Sequence, residues 1–186
     1  MDANKMYRAG VTLSEQGKLD EARAEFDNLA TKNPKSEAAA TMAAIILEAQ
    51  NRAADARKRY EEILQKNPRA PVAANNLAWI MSERGDNIDV ALQLAQTAKA
   101  AMPNRAEVSD TLGWIYYKKN MLPQATAALK ESVGREPKNP VFNYHLGMAY
   151  AKAGEKEKAR IALQQALKLK PDFDGANEAR NTLATL

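Results

Sequence analysis

Five prolines, Pro34, Pro68, Pro103, Pro137 and Pro171, stand 34, 35, 34 and 34 residues apart, and five alanines, Ala22, Ala56, Ala91, Ala125 and Ala159, repeat those intervals. A period of this length marks an array of helix-turn-helix units. Each unit is too small to bury its own apolar face and is stable only by stacking on its neighbours. Function is therefore expected on a stacked surface and not in an enclosed catalytic pocket.

Two more columns sharpen the register. Gly10, Ala44, Ala78, Gly113 and Gly147 form one, and Gly17, Asn51, Gly85, Asn120 and Gly154 the other, both stepping by 34, 34, 35 and 34 residues. The extra residue therefore lies between Gly85 and Ala91, in the connection Asp86-Asn87-Ile88-Asp89, where a length change is expected to be tolerated. Aromatic residues make up only 6% of the chain, which suits helices packed closely through small side chains and not a sheet. The fold class is all-α.

Each unit reads as two helices of about 13 residues, roughly 20 Å long at 1.5 Å per residue. Helix A of the first unit is expected over 3–16, ending at Gly17 in a left-handed cap, a role that Asn51 and Asn120 also fit. Helix B is expected to run to Lys32, where Asn33-Pro34 stops it; Asn67-Pro68, Met102-Pro103, Glu136-Pro137 and Lys170-Pro171 do the same. Leu146, Gly147 and Tyr150 share one side of a helix A, and Ala159, Leu163 and Ala166 share one side of the following helix B. Small residues in the Gly10 and Ala22 columns let the paired helices approach closely, so a large side chain there overpacks the contact.

These features resemble the tetratricopeptide repeat family over residues 3–171. The family pattern of Leu-Gly, Tyr, Ala, Phe, Ala and Pro is met by Leu112-Gly113, Tyr116, Ala125, Leu129 and Pro137, and again by Leu146-Gly147, Tyr150, Ala159, Leu163, Ala166 and Pro171. The family's opening tryptophan is replaced by Met6, Ala40, Ala74, Ser109 and Asn143. The resemblance implies a right-handed α-α superhelix, a single domain over 1–186. Its repeats would cover 3–36, 37–70, 71–105, 106–139 and 140–173, with a capping helix over 174–186 that carries Ala176, Leu183 and Leu186. Met1-Asp2 leads straight into helix A with no capping element, which leaves two readings open, a fragment of a longer array or the array itself.

The same resemblance implies a non-catalytic scaffold that binds a protein or peptide in the concave groove lined by the A helices. Asn4, Tyr7, Arg8, Val11, Thr41, Met42 and Ile45 line its first part. The richest part is Asn75, Asn76, Trp79, Asp110, Thr111, Trp114, Tyr117, Tyr144, His145 and Met148. Aromatic bodies with polar handles are what binding hot spots use; the alternative for Trp79 and Trp114 is packing sideways between neighbouring A helices as core. Asn76 matches the asparagine with which relatives hold a ligand's main chain. Thr41 and Ile45 stand where the carboxylate clamp of chaperone-binding relatives has lysine and asparagine, so that clamp is absent. His145 is either a pH-sensitive contact or a hydrogen-bonding surface residue.

Other function classes find little support in the residues. The sequence offers no nucleophile with its base, no phosphate-cradling glycine loop and no buried carboxylate pair, so no enzyme and no cofactor are expected. Without cysteine, and with His145 the only histidine, no metal site is expected. A net charge of +4 and the basic run Arg52, Arg57, Lys58 and Arg59 leave weak nucleic-acid binding as one alternative; Asp55, Glu61 and Glu62 beside them favour a solvated face. Self-assembly, with the groove or the first repeat receiving a neighbouring chain, is the other. No apolar run of about 18 residues exists, so no membrane insertion by this segment is expected. The strings Asn76-Leu77-Ala78-Trp79, Asp110-Thr111-Leu112-Gly113-Trp114 and Tyr144-His145-Leu146-Gly147 are also similar to the C-terminal repeats of bacterial envelope tetratricopeptide proteins, including exosortase-associated lipoproteins. That likeness implies an envelope or periplasmic location for a fragment, and a cytoplasmic one otherwise.

Overall fold

The computed structural model describes residues 3–34 and 36–186, and among these it contains eleven α-helices and no strand. They are α1 (Ala3–Glu15), α2 (Leu19–Lys32), α3 (Glu37–Ala49), α4 (Ala53–Lys66), α5 (Pro71–Arg84), α6 (Ile88–Ala101), α7 (Ala106–Lys118), α8 (Leu122–Arg135), α9 (Pro140–Lys152), α10 (Lys156–Leu169) and α11 (Ala176–Thr185). The odd-numbered helices up to α9 are the A helices of the five repeats and the even-numbered ones the B helices. The expected lead-in at Met1-Asp2 lies outside the described residues.

The marker columns have physical causes. Each A helix ends at a residue in the left-handed region: Gly17 (φ 75°), Asn51 (58°), Gly85 (72°), Asn120 (59°) and Gly154 (78°). At Asn51 the turn closes through the Asn51 N–H to the Glu48 carbonyl and the Arg52 N–H to the Leu47 carbonyl, both 2.8 Å, which satisfies the orphan carbonyls of the last turn. Asparagine tolerates this conformation better than other side chains. Each B helix ends just before the residue that precedes its proline. That residue donates its N–H back to the last turn, as Asn33 does to the Leu29 carbonyl at 2.9 Å.

The connection that carries the extra residue also caps the helix that follows it. Ile88 opens α6, and the Asn87 side chain just before it accepts from the N–H groups of Asp89 (3.1 Å) and Val90 (3.3 Å). The residues preceding the other B helices, Lys18, Arg52, Met121 and Glu155, make no such bond. Asn87 holds the same position as those four residues, so the cap comes from its asparagine side chain, and the extra residue of this connection is Asp86, between Gly85 and Asn87.

The chain divides into two compact units, Met1–Ile80 and Met81–Leu186. In the first, Ala22, Phe26, Ala43 and Ile46 form one buried cluster flanked by Tyr7, Val11 and Met42, and Met6, Leu29 and Ala39 form another. In the second, Ala125, Leu129, Leu146, Ala149, Tyr150 and Ala159 pack together, with Leu186 laid against them. All five alanines of the Ala22 column are fully buried. Gly113 and Gly147 sit at close helix contacts of the second unit. A Cβ on Gly113 would stand 2.6 Å from Cγ of Leu129, and one on Gly147 2.6 Å from Cγ of Leu163.

Candidate functional site

In the second unit the predicted site residues converge into one aromatic stack. Trp114 lies between Tyr117, its neighbour one turn along α7, centred 4.6 Å away at 12°, and His145, centred 4.1 Å away at 21°. Tyr144 tilts against both Trp114 (6.0 Å) and His145 (5.3 Å) and meets Phe173 at 5.5 Å. Trp114 and Tyr117 share a face of α7 because residues three apart lie one above the other on a helix. Tyr144 and His145 reach them from α9, the A helix of the next repeat.

The stack is closed to water more completely than an open groove would be. Trp114 is 8% exposed and His145 3%; Asp110, Thr111, Tyr144 and Met148 are likewise buried, and Tyr117 is half-buried. The polar groups of Trp114 and His145 are engaged within the fold. The Trp114 indole N–H donates to Glu83 (2.9 Å), which also receives the Lys118 ammonium (2.6 Å). His145 Nδ1 lies 2.8 and 3.0 Å from the two carboxyl oxygens of Asp110, a hydrogen bond buried within the fold. His145 is therefore not the surface residue that its isolation in the sequence suggests.

The C-terminal segment covers the far side of this stack. The Tyr144 hydroxyl donates to Glu178 (2.6 Å) and the Thr182 hydroxyl to the Met148 sulfur (3.4 Å). Burial, and then this bond to Glu178, push the Tyr144 hydroxyl well above its usual titration range. Glu178 and Thr182 belong to α11, which acts here as the expected cap.

What stays accessible is the rim. The Lys152 ammonium sits 4.6 Å above the Tyr117 ring and donates to the Tyr117 carbonyl at 3.2 Å. Lys118 reaches the Trp114 ring at 5.7 Å and the Ser82 carbonyl at 2.7 Å. Lys118 and Lys152, with Glu83, occupy the thirteenth position of successive A helices, 35 and 34 residues apart. Sequence reasoning weighted the aromatic positions and passed over this charged column, although the repeat period was sufficient to find it.

In the first unit Asn76 and Trp79 are half-buried and Asn75 is buried. The Asn76 amide donates to the Tyr60 hydroxyl (2.9 Å) and to Glu48 (3.4 Å), and its oxygen accepts from Asn75 (3.2 Å). The side chain with which relatives would hold a ligand's main chain is thus engaged inside the fold. Tyr60 also donates to Glu48. Burial raises the Glu48 carboxyl despite these two donors, and burial pushes the Tyr60 hydroxyl up as well.

The basic run at the start of α4 is largely neutralised: Arg52, just before the helix, pairs with Asp55 (2.7 Å), Arg57 with Glu61 (2.8 Å) and Arg59 with Asp27 (2.7 Å). Among the described residues no cluster of three or more histidine, cysteine or acidic side chains is arranged to hold a metal, and no helix is long and apolar enough to cross a membrane.

The tetratricopeptide repeat pattern matches residues 7–71, 41–106 and 140–173, more than half of the chain. The chain belongs to the tetratricopeptide repeat family. Among solved structures the fold is shared with TTC0263, a thermophilic tetratricopeptide repeat protein of Thermus thermophilus, at 20% identity and TM-score 0.69 over 99% of this chain and 98% of that one. It is shared with YrrB, described as having an unusual peptide-binding site, at 21% identity and TM-score 0.68 over 97% and 92%. The structure of the Cut9-Hcn1 hetero-tetramer matches at 19% identity and TM-score 0.80, covering 99% of this chain and 36% of that one. A curated relative is the general transcriptional corepressor ssn6 of Schizosaccharomyces pombe, 29% identical over 95 residues, which are 50% of this chain and 9% of that protein. Tetratricopeptide repeats are in general non-catalytic scaffolds for protein-protein interaction.

Proposed function

We propose that this tetratricopeptide repeat chain is a non-catalytic scaffold that binds an extended peptide segment of a partner protein on the A-helix face. In the second unit the contact layer is Tyr117, Lys118 and Lys152, and the buried stack of Asp110, Thr111, Trp114, Tyr144, His145 and Met148 is its rigid floor. In the first unit the half-buried Asn76 and Trp79, supported by Asn75, occupy the corresponding helix face. The observation that carries the reading is the half-buried Tyr117 ring, held between Trp114 beneath and the Lys152 ammonium above. Such an aromatic loses little freedom on binding because its ring is already fixed.

The floor also explains why so many polar groups are spent internally. A bed in which Trp114 and His145 are each locked by a carboxylate cannot rearrange around a ligand, so shape is set before binding. Among the described residues Lys152 meets a carbonyl and a ring face and no carboxylate, which leaves its charge available to an acidic ligand. The partner segment is accordingly expected to carry an acidic residue beside an apolar one. The resemblance to a protein with a peptide-binding site supports this choice of ligand class.

The test is selection of short peptides from a displayed random library on the folded chain, followed by affinity measurement. Lys152→Glu should weaken the selected acidic peptides about tenfold or more, the scale of a charge-assisted contact turned repulsive, while Lys168→Glu on α10 leaves them unchanged. Equal affinity for both variants and wild type would remove this face from consideration.

A further inference from the structure

The repeat allows one junction to be compared with another residue by residue. Residues 27–67, spanning the first and second repeats, correspond to 96–136, spanning the third and fourth, at a constant offset of 69. In the later junction Lys99 on α6 lies along the fold with its ammonium held by the Pro103 carbonyl (2.8 Å), the Ser109 hydroxyl (2.8 Å) and the Glu131 carboxylate (2.7 Å). The bond from Lys99 is the foremost reason that the Glu131 carboxyl titrates below its ordinary range.

In the earlier junction two of the three acceptor positions are kept and the lysine is missing. Pro34 corresponds to Pro103 and Glu62 to Glu131, but Ala30 replaces Lys99 and Ala40 replaces Ser109. Both substitutions remove bulk, and the space they vacate is part of an open cavity of about 710 Å³ whose lining includes Ala30, Pro34, Ala40, Glu62 and Ile63. Leu64, Val133 and Leu167 hold the position of Ala30 in the second, fourth and fifth repeats, so Ala30 is the small residue of its column.

We infer that this cavity receives a lysine side chain of a peptide segment from a partner protein, its ammonium taking at Glu62 the place that Lys99 takes at Glu131. The charges in the lining favour that occupant. Asp27 is already paired with Arg59 (2.7 Å), and Glu37 accepts the Asn67 amide (2.6 Å). Glu62 has neither a hydrogen bond nor an ion pair among the described residues, although Lys66 also lines the cavity. A carboxylate on an apolar wall of Ala30, Ala40 and Ile63 fits an ammonium on an aliphatic stem. The volume lies within the range of a ligand pocket, roughly 300–1,000 Å³, so it admits the residues flanking a lysine as well as the side chain. This surface is formed by α2, α3 and α4 and their connections, and is independent of the face proposed above.

The test uses the full chain and the tripeptide acetyl-Gly-Lys-Gly-amide, followed by backbone amide shifts in an NMR titration. Shifts should centre on Ala30, Ala40 and Ile63, and Glu62→Gln or Nε-acetylation of the peptide lysine should weaken binding about tenfold, the loss of one charge-assisted bond. Ala30→Lys should abolish peptide binding by installing the missing occupant internally, and should raise the melting temperature in a way that Glu62→Gln cancels. The inference is overturned if the acetylated peptide binds as well as the free amine, if Glu62→Gln has no effect, or if the shifts fall elsewhere. It is overturned too if the peptide produces no shifts at about 10 mM, where even a ~1 mM complex would be nearly saturated. Lys152→Glu leaves the titration unchanged, so failure here and failure of the A-helix-face reading are separate results.

Discussion

Replacing Gly113 with alanine adds one methyl group and sets two effects of opposite sign against each other. Alanine is favoured over glycine within a helix by about 1 kcal/mol. Against this, the new Cβ would lie 2.6 Å from Cγ, 2.9 Å from Cδ2 and 3.1 Å from the backbone nitrogen of Leu129, where carbon atoms prefer about 3.5–4.0 Å. A rotamer change in Leu129 relieves the first two contacts but not the third, so α7 and α8 must separate. Overpacking of this kind costs about 1–3 kcal/mol, and Leu129, fully buried, loses contacts as the helices part. The overpacking term wins at a backbone contact, and the net loss expected is about 1–2 kcal/mol. For a chain of this size that lowers the melting temperature by about 2–8 °C. Gly134, in α8, is the control: a Cβ there meets nothing within 4 Å, so Gly134→Ala should gain a few tenths of a kcal/mol to about 1. Calorimetry on the two variants reads both signs. A Gly113→Ala protein as stable as wild type would refute the reasoning that the column exists to let the helices touch.

Three further perturbations test separate parts of the account. Asn87→Ala removes the cap of α6 and should cost about 0.5–2 kcal/mol in denaturant unfolding, whereas an unchanged midpoint would mean that the two bonds to the Asp89 and Val90 N–H groups add no stability. Trp114→Ala removes a buried ring and its bond to Glu83, and should cost about 3–5 kcal/mol; loss of peptide binding with full stability would place the ring in an open groove instead. The Glu131 carboxyl is depressed, chiefly by Lys99, so the stability it adds is present above the ordinary carboxylate range and is lost as pH falls through its folded value. Lys99→Met should therefore flatten the acid limb of the stability profile. The Glu48 carboxyl is raised by burial, and its contribution runs the other way, complete at low pH and fading as pH rises through the raised value. Glu48→Gln should make stability climb more steeply with pH than in wild type, and urea midpoints between about pH 3 and 7 check both signs.

The fold was legible because period, caps and close contacts each leave a residue-specific mark. Asn51 and Asn120 identify themselves as left-handed caps by sharing a column with glycines, and Gly113 and Gly147 mark helix contacts that no larger residue fits. The site was less legible. Residue type and helix position put Trp114, Tyr144 and His145 on the A-helix face, but whether a side chain on that face is open or covered depends on neighbours a full repeat away in sequence. Asp110 locks His145 and Glu178 locks Tyr144, and nothing in the spacing of those carboxylates distinguishes them from solvated ones. The cap at Asn87 was hidden for a different reason: the four equivalent residues, Lys18, Arg52, Met121 and Glu155, make no cap bond, so the repeat pattern carries no sign of it.

A partner peptide lying on the A-helix face above the locked aromatic stack would be seen in hydrogen exchange of the chain with and without a library-selected acidic peptide. Added protection is expected along α7 and α9, around Tyr117 and Lys152, and Lys152→Glu should remove it. Protection confined to the B helices α8 and α10, with α7 and α9 unchanged, would contradict it.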